Sequence, residues 1–390
     1  MRQVMSELRA LEETGYFEGL TDLIPGSAEA GEPKFGAGRG SVPSQMRLNL
    51  LSRRIATLKP MDHPVGPALS QFMTQVSVRE RTDTYKQETH RKFADGVGQV
   101  RILFGKIARG EVSSNSIVRS VAGSFMDTFM RDRNLLVNLS TTTSSVQDYL
   151  YDHSLKLCLL SLSLASAAGY SRSQSLEIAQ GALLADIGMM LVPEKIRLKR
   201  GRLTKEESDE VKKHPLLGLS LLEPIHGLSE PVLLVPYQHH ERISGDGYPD
   251  RRSGNLVSRF SRIVSIADVY TALINKRSYR EALIPYQAMV AILSMGGQGK
   301  LDGEQVKHFL KTVSIFPLGS LVRLSTGQVA KVVDPNPVEY TKPIVSVLTS
   351  EDGAPLRNEA IFQINLVHSD VKITEALAGQ AINHHVLDGF

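Results

Sequence analysis

Two adjacent histidines, His239 and His240, stand just ahead of a glycine-rich turn in the stretch YQHHERISGDGYPDRR, residues 237–252. Neutral imidazole is the commonest metal ligand among side chains, and paired histidines beside a tight turn raise the question of a metal site. Four more residues of the same chemical kind, His153, Asp186, His214 and Asp268, fall at helix ends or on the apolar faces of helical patterns. A buried histidine on its own is ordinarily a core residue with satisfied hydrogen bonds, and His153 alone reads that way. The six together read differently, because burying two carboxylates beside four imidazoles is costly unless a cation compensates them. Imidazole with carboxylate suits a first-row divalent metal rather than calcium, and the lack of cysteine in the set argues against a structural zinc site. An unpaired Asp186 hydrogen-bonded to the same histidines, with no metal, remains the alternative.

The elements that must position these residues are helical. Leu150, His153, Leu157, Leu160 and Leu164 alternate spacings of three and four, so His153 lies on a buried helix stripe. Leu176, Ala179, Leu183 and Asp186 repeat the pattern with an aspartate. In LTKEESDEVKKHP, Thr204 and Glu207 make a capping box for a third helix, which is expected to end at His214 because Pro215 cannot continue it. EPVLLVPYQHHE predicts a fourth helix that delivers the histidine pair, and VSRFSRIVSIADVYTALINKR a fifth with Asp268 in its middle. From Phe316 the period changes: GSLVRLSTGQVAKVV alternates around a Ser-Thr-Gly-Gln turn, and KPIVSVLTSEDG is a second β-branched run.

The chain of 390 residues is therefore expected to be mainly α, a helical bundle with N-terminal helices and a small C-terminal β unit. The expected division is an N-terminal helix at 1–18, a linker at 19–78, lead-in helices at 79–137, the helical domain at 138–312, a β-rich extension at 313–368 and a C-terminal tail at 369–390. The linker is rich in Gly, Pro and Ser and has too few large apolar side chains to offset its ordering entropy. Periodicity does not separate a plain helical lead-in at 79–137 from a module through which two copies, or a protein partner, would pair. The tail after Asp370 reads as a terminal helix, and its Asn383-His384-His385 has no partner in a recognisable pattern.

Composition narrows the rest. With 42% hydrophobic and 22% charged residues the chain can bury a sizeable core. Its longest apolar run, LKLCLLSLSLASAAGY, is broken by serines and falls short of the roughly 20 residues a membrane span needs, so no span is expected. Cys158 is the single cysteine, which points to a reducing, cytoplasmic setting. A net charge of +4 is too mild to argue for a nucleic-acid polymer as partner, while a small anionic ligand remains compatible.

At this point the motifs DYLYDHS, LLADIGMMLVPEKI, GRLTKEESDEVKKHPLLG, HHERISGDGYP and IADVYTALINKRSYR, in this order, resemble the HD-GYP family of HD-superfamily phosphohydrolases. The resemblance implies a helical bundle that hydrolyses cyclic di-GMP with a two- or three-metal cluster, usually iron or manganese. It implies that His153 and Asp268 serve a first metal position, that Asp186 bridges two, and that His214, His239 and His240 complete the second. Asp186 is then the residue on which any catalysis depends. Gly247, Tyr248 and Pro249 match the turn that names the family and lies beside the substrate, and Arg277 and Arg280 match residues that contact its phosphates.

The same resemblance implies two losses. Where the family has its HD histidine this chain has Ala185, and where it has a phosphate-facing lysine this chain has Met189. Tyr149 stands where three-metal members have a glutamate, and Ser244 occupies a usual aspartate position. Loss of a metal ligand or a charge-stabilising donor commonly removes about two to three powers of ten in rate. Three readings follow: a degenerate member holding one metal or none and acting as a cyclic di-GMP receptor or protein-interaction module, a slow phosphodiesterase, or a non-catalytic scaffold.

Overall fold

The computed structural model describes residues 83–131, 148–199, 201–275, 282–336, 339, 341–357 and 360–377. The expected helix at 1–18, the expected linker at 19–78, Arg277, Arg280 and the Asn383-His384-His385 stretch lie outside them.

Helix α1 (Asp83–Ala108) puts Phe93, Val97, Val100, Leu103, Phe104 and Ile107 on one face, at spacings of three and four. Helix α2 (Asn115–Arg131) does the same with Val118, Ala122, Phe125, Met126 and Phe129. Both faces close on α3 (Tyr149–Ala167) and α4 (Arg172–Leu184). Helix α3 is buried almost all round rather than along one stripe. Its Leu155, Cys158, Leu159 and Leu162 meet the α1–α2 cluster, while Leu157, Leu160 and Leu164 meet a second cluster built by later helices. Apolar side chains on every face make it the central rod of the bundle, and each fully buried leucine contributes about 1.5–3 kcal/mol.

A capping box of Ser171 and Gln174 starts α4, but the helix stops before Asp186, contrary to the helical placement expected from spacing. Asp186 (φ −100, ψ 12) precedes a tight 3-10 turn, Ile187–Leu191. The physical reason is Gly188. A Cβ there would lie 2.0 Å from the carbonyl oxygen of His214 and 2.5 Å from the amide nitrogen of Gly218, so only glycine lets this turn rest on the neighbouring main chain.

After the short α5 (Glu194–Arg197), the Thr204–Glu207 capping box opens α6 (Lys205–Val211) as expected. That helix ends three residues earlier than read from the sequence. His214 instead begins α7 (His214–Leu222), with Pro215 in its first turn, where the missing N–H has no intrahelical partner to lose. Helices α8 (Glu230–Gln238), α9 (Arg259–Ile274), α10 (Pro285–Gly297) and α11 (Gly303–Val313) complete the bundle.

Strands β1 (Leu321–Leu324), β2 (Val329–Asp334), β3 (Ile344–Val347), β4 (Gln363–Asn365) and β5 (Ile373–Leu377) form one antiparallel sheet in the order β4-β3-β2-β1-β5. Val322, Val332, Val345 and Val347 pack on Tyr286 and Val290 of α10. The expected helix after Asp370 is corrected here, because Ile373–Leu377 is a strand paired with β1. Helix-forming Glu375 and Ala376 mislead locally, whereas the unpaired N–H and C=O groups on β1 demand a partner. Arg323 and Glu375 meet across the two strands at 3.0 Å. Among the described residues no helix is long and apolar enough to cross a membrane.

Candidate metal centre

Five elements converge on one buried group of side chains. Helix α3 supplies His153, the turn after α4 supplies Asp186, the first residue of α7 is His214, the end of α8 supplies His239 and His240, and α9 supplies Asp268. All six expected residues are brought together. His153, His214, His239, Asp186 and Asp268 are buried, and His240 is partly so.

The two oxygens of Asp186 face different partners. Oδ2 lies 3.3 Å from Nε2 of His153, while Oδ1 lies 3.4 Å from Nε2 of His214 and 3.8 Å from Nε2 of His239. Nε2 of His153 is also 3.0 Å from Oδ1 of Asp268, whose Oδ2 is 3.5 Å from Nδ1 of His240. The carboxylate of Asp186 thus stands between two groups of donors, as a bridging ligand would.

The donors of Asp186, His214, His239 and His240 lie within 4.8 Å of one another, and the nearest pair of imidazole nitrogens, on His214 and His239, is 3.3 Å apart. Ligands about 2.1 Å from an ion, at right or tetrahedral angles, stand about 3.0–3.5 Å from each other, so the 3.3 Å separation of the His214 and His239 nitrogens fits a shared divalent metal. Nδ1 of His214 is 2.8 Å from the carbonyl of Val211, and Nδ1 of His239 is 3.1 Å from that of Pro236. A carbonyl only accepts, so Nδ1 carries the proton and Nε2 turns its lone pair toward the centre, as orienting partners do in metal sites. The corresponding Nδ1 of His153 is buried with no hydrogen-bond partner. His214 and His239 are therefore oriented from behind, whereas among the described residues His153 is not.

Electrostatics follow from burial among opposite charges. Burial pushes Asp186 and Asp268 up, but the neighbouring imidazoles outweigh it and hold both carboxyls below their usual range. Burial pulls His214 down to about 4 and holds His240 well below its ordinary value, which leaves both imidazoles neutral at pH 7. His239 is also pulled down by burial, yet the Asp186 carboxylate prevails and keeps it raised.

Ala185 is fully buried in the apolar cluster with Leu157, Leu160 and Val264. Met189 is partly buried and packs on the cluster of α1 and α2. Tyr149 stacks on the His153 ring with centroids 5.8 Å apart, and Ser244 donates its hydroxyl to Asp246. Tyr248 stacks on His240 at 4.6 Å, which sets the Gly247-Tyr248-Pro249 turn, with its cis Tyr248–Pro249 bond, against the donors.

Several buried polar residues escaped sequence reading. Glu241, 2% exposed, accepts the N–H groups of Asp250 at 2.7 Å and Arg252 at 3.0 Å, and burial pushes its carboxyl up to about 7. Arg242 is buried and donates to the carbonyls of His239 and Glu241 and to the Ser265 hydroxyl, one turn before Asp268. A charged pair between a histidine doublet and a glycine-rich turn is the only signal the sequence offers for either.

An HD domain family model matches residues 138–305. A cyclic di-GMP phosphodiesterase of Pseudomonas aeruginosa is 28% identical over 296 residues, 76% of this chain and 69% of the relative. A cyclic di-GMP phosphodiesterase response regulator of Xanthomonas campestris is 35% identical over 136 residues, which spans 35% of this chain and 36% of the relative. A solved HD-GYP-type protein from Bdellovibrio bacteriovorus superposes with a TM-score of 0.45 at 18% identity, over 56% of this chain and 68% of that one. Over residues 138–305 the chain is thus similar to HD-domain proteins.

Proposed function

We propose that this chain is a degenerate HD-GYP protein that binds one divalent metal ion, iron or manganese, at Asp186, His214, His239 and His240. It acts as a receptor for cyclic di-GMP or a related nucleotide, or as a protein-interaction module, with little or no hydrolysis. The observation that carries this reading is the asymmetry of the two donor groups. His214 and His239 are oriented by backbone carbonyls, while His153 has no such support and Ala185 offers no lone pair beside it. A divalent ion held there would supply positive charge and Lewis acidity toward phosphate oxygens. Tyr248, stacked on His240, offers an aromatic face to a base, and Arg277 and Arg280 would offer guanidinium groups to the phosphates. The names of the relatives supply the nucleotide.

One observation favours a second reading, a slow metal-dependent phosphodiesterase. Asp186 Oδ2 and Asp268 Oδ1 both remain within 3.3 Å of His153, so three of the donors for the first position are still gathered.

The deciding experiment uses protein prepared anaerobically with iron or manganese. Binding of cyclic di-GMP is measured by calorimetry and its hydrolysis by chromatography, for the parent, Asp186→Ala and the double variant Ala185→His with Met189→Lys. Binding without turnover in the parent, and turnover regained in the double variant, is the expected result. Turnover in the parent that Asp186→Ala abolishes would install the phosphodiesterase reading. No binding of any cyclic dinucleotide would remove the receptor.

A further inference from the structure

We infer that Glu241 is a positioning residue whose carboxylate fixes the Gly247-Tyr248-Pro249 turn against the donor histidines, and so sets the aromatic face offered to a nucleotide. The inference rests on the proposed function for the identity of that ligand. Its geometry stands apart from it.

The turn is gripped from several directions by the segment 237–242. Both Glu241 oxygens are used, Oε1 by the N–H of Asp250 and Oε2 by the N–H of Arg252, so the chain just past Pro249 is held at two points by one side chain. The Asp250 carboxylate in turn accepts the hydroxyl of the fully buried Tyr237 at 2.9 Å and the guanidinium of Arg252 at 3.2 Å. On the other side of the turn, a Cβ on Gly247 would lie 2.4 Å from the amide nitrogen of Arg242 and 2.5 Å from the carbonyl oxygen of His240. Main chain therefore rests on main chain, and the N–H of Tyr248 points at that same His240 carbonyl, 3.3 Å away.

Glu241 is absent from the group of mutually close metal donors, and the contacts its two oxygens make are with backbone N–H groups of the turn. Removing the carboxylate leaves the buried N–H of Arg252 without its acceptor and frees that of Asp250, an exposed residue, to water, so the grip on the backbone is lost. Motion at Asp250 passes to Tyr248 through two residues.

The test uses the full chain, as parent, Glu241→Gln and Tyr237→Phe. Glutamine keeps the shape but turns an NH2 donor toward one of the two N–H groups. Tyr237→Phe loosens Asp250 alone and serves if the glutamine variant does not fold. Amide exchange at Tyr248, Asp250 and Arg252, Mn2+ affinity, and cyclic di-GMP affinity of the Mn2+-loaded protein are measured. Exchange about tenfold faster, nucleotide binding about tenfold weaker and Mn2+ affinity unchanged are expected for loss of one buried hydrogen bond that holds only the turn. Unchanged exchange overturns the inference, as does faster exchange with undiminished nucleotide binding, or Mn2+ affinity falling in parallel. A parent that binds no cyclic di-GMP removes the proposed function instead, and the inference is then judged on exchange against Mn2+ affinity alone.

Discussion

Nζ of Lys156 lies 3.0 Å from Oδ2 of Asp152, one turn back along α3, and both side chains are sealed from solvent. The ammonium also donates to Oδ1 of Asn275 at 2.9 Å and sits 5.8 Å from the Phe93 ring centroid. The pair thus ties the helix that carries His153 to the end of the helix that carries Asp268, with α1 against it. Burial weakens the hold of Lys156 on its proton, and Asp152 opposes that.

Removing only one member of this pair is expected to be far worse than removing both. Lys156→Met leaves a buried carboxylate without its cation and should cost about 3–5 kcal/mol, whereas Asp152→Leu combined with Lys156→Met should recover most of that loss. Urea unfolding of the single and double variants reads the difference. A double variant no more stable than the single would show that the pair is not the source of the loss.

Metal binding should follow the oriented donors. Protein stripped by chelator and reloaded with Mn2+ is expected to hold about one equivalent, by elemental analysis, and to gain about 2.7 kcal/mol of stability at a hundredfold excess over Kd. His214→Ala and His239→Ala should lose both effects. A full equivalent retained by His214→Ala would place the ion elsewhere.

Cys158, five residues along α3 from His153, offers a pH-dependent test. It is fully buried, and burial pushes its thiol from 9.0 up to about 12. The folded protein should resist thiol labelling at pH 8 and take up one label per chain once unfolded. The folded state holds this proton more tightly than the unfolded chain, so the contribution to stability is complete below pH 9 and falls as pH rises toward 12. Relative to Cys158→Ala, the parent should lose about 1.4 kcal/mol per pH unit across that window. Equal slopes for the two proteins would contradict the shift.

Ser314 joins α11 to the sheet with φ 69 and ψ 161, a region open to glycine and strained for serine. Strain of about 1–3 kcal/mol against about 0.4–1 kcal/mol of added unfolded-chain entropy leaves a net gain, so Ser314→Gly should raise the melting temperature by a few degrees. Calorimetry would register a fall instead if the serine is unstrained.

Spacings of three and four place His153 and Asp268 on inward-facing helical stripes, and the helical run before the histidine pair brings His239 and His240 to its end. Asp186 and His214 are displaced from their expected places in helices because backbone approach at Gly188 and the start of a helix at Pro215 leave little trace in periodicity. Strand β5 reads locally as helix because its partner β1 lies some fifty residues away, and no local window contains both. Glu241 was illegible for a related reason: the groups it binds are backbone amides, which every residue has.

Gly188 gives the centre one more property. Because the turn after Asp186 rests on the main chain at His214, those two residues belong to a single rigid block, and side-chain rotation cannot relieve a displacement of the backbone. Helix α1 packs against that same turn. It packs on α3 as well, so one helix braces both the block of Asp186 and His214 and the rod that carries His153.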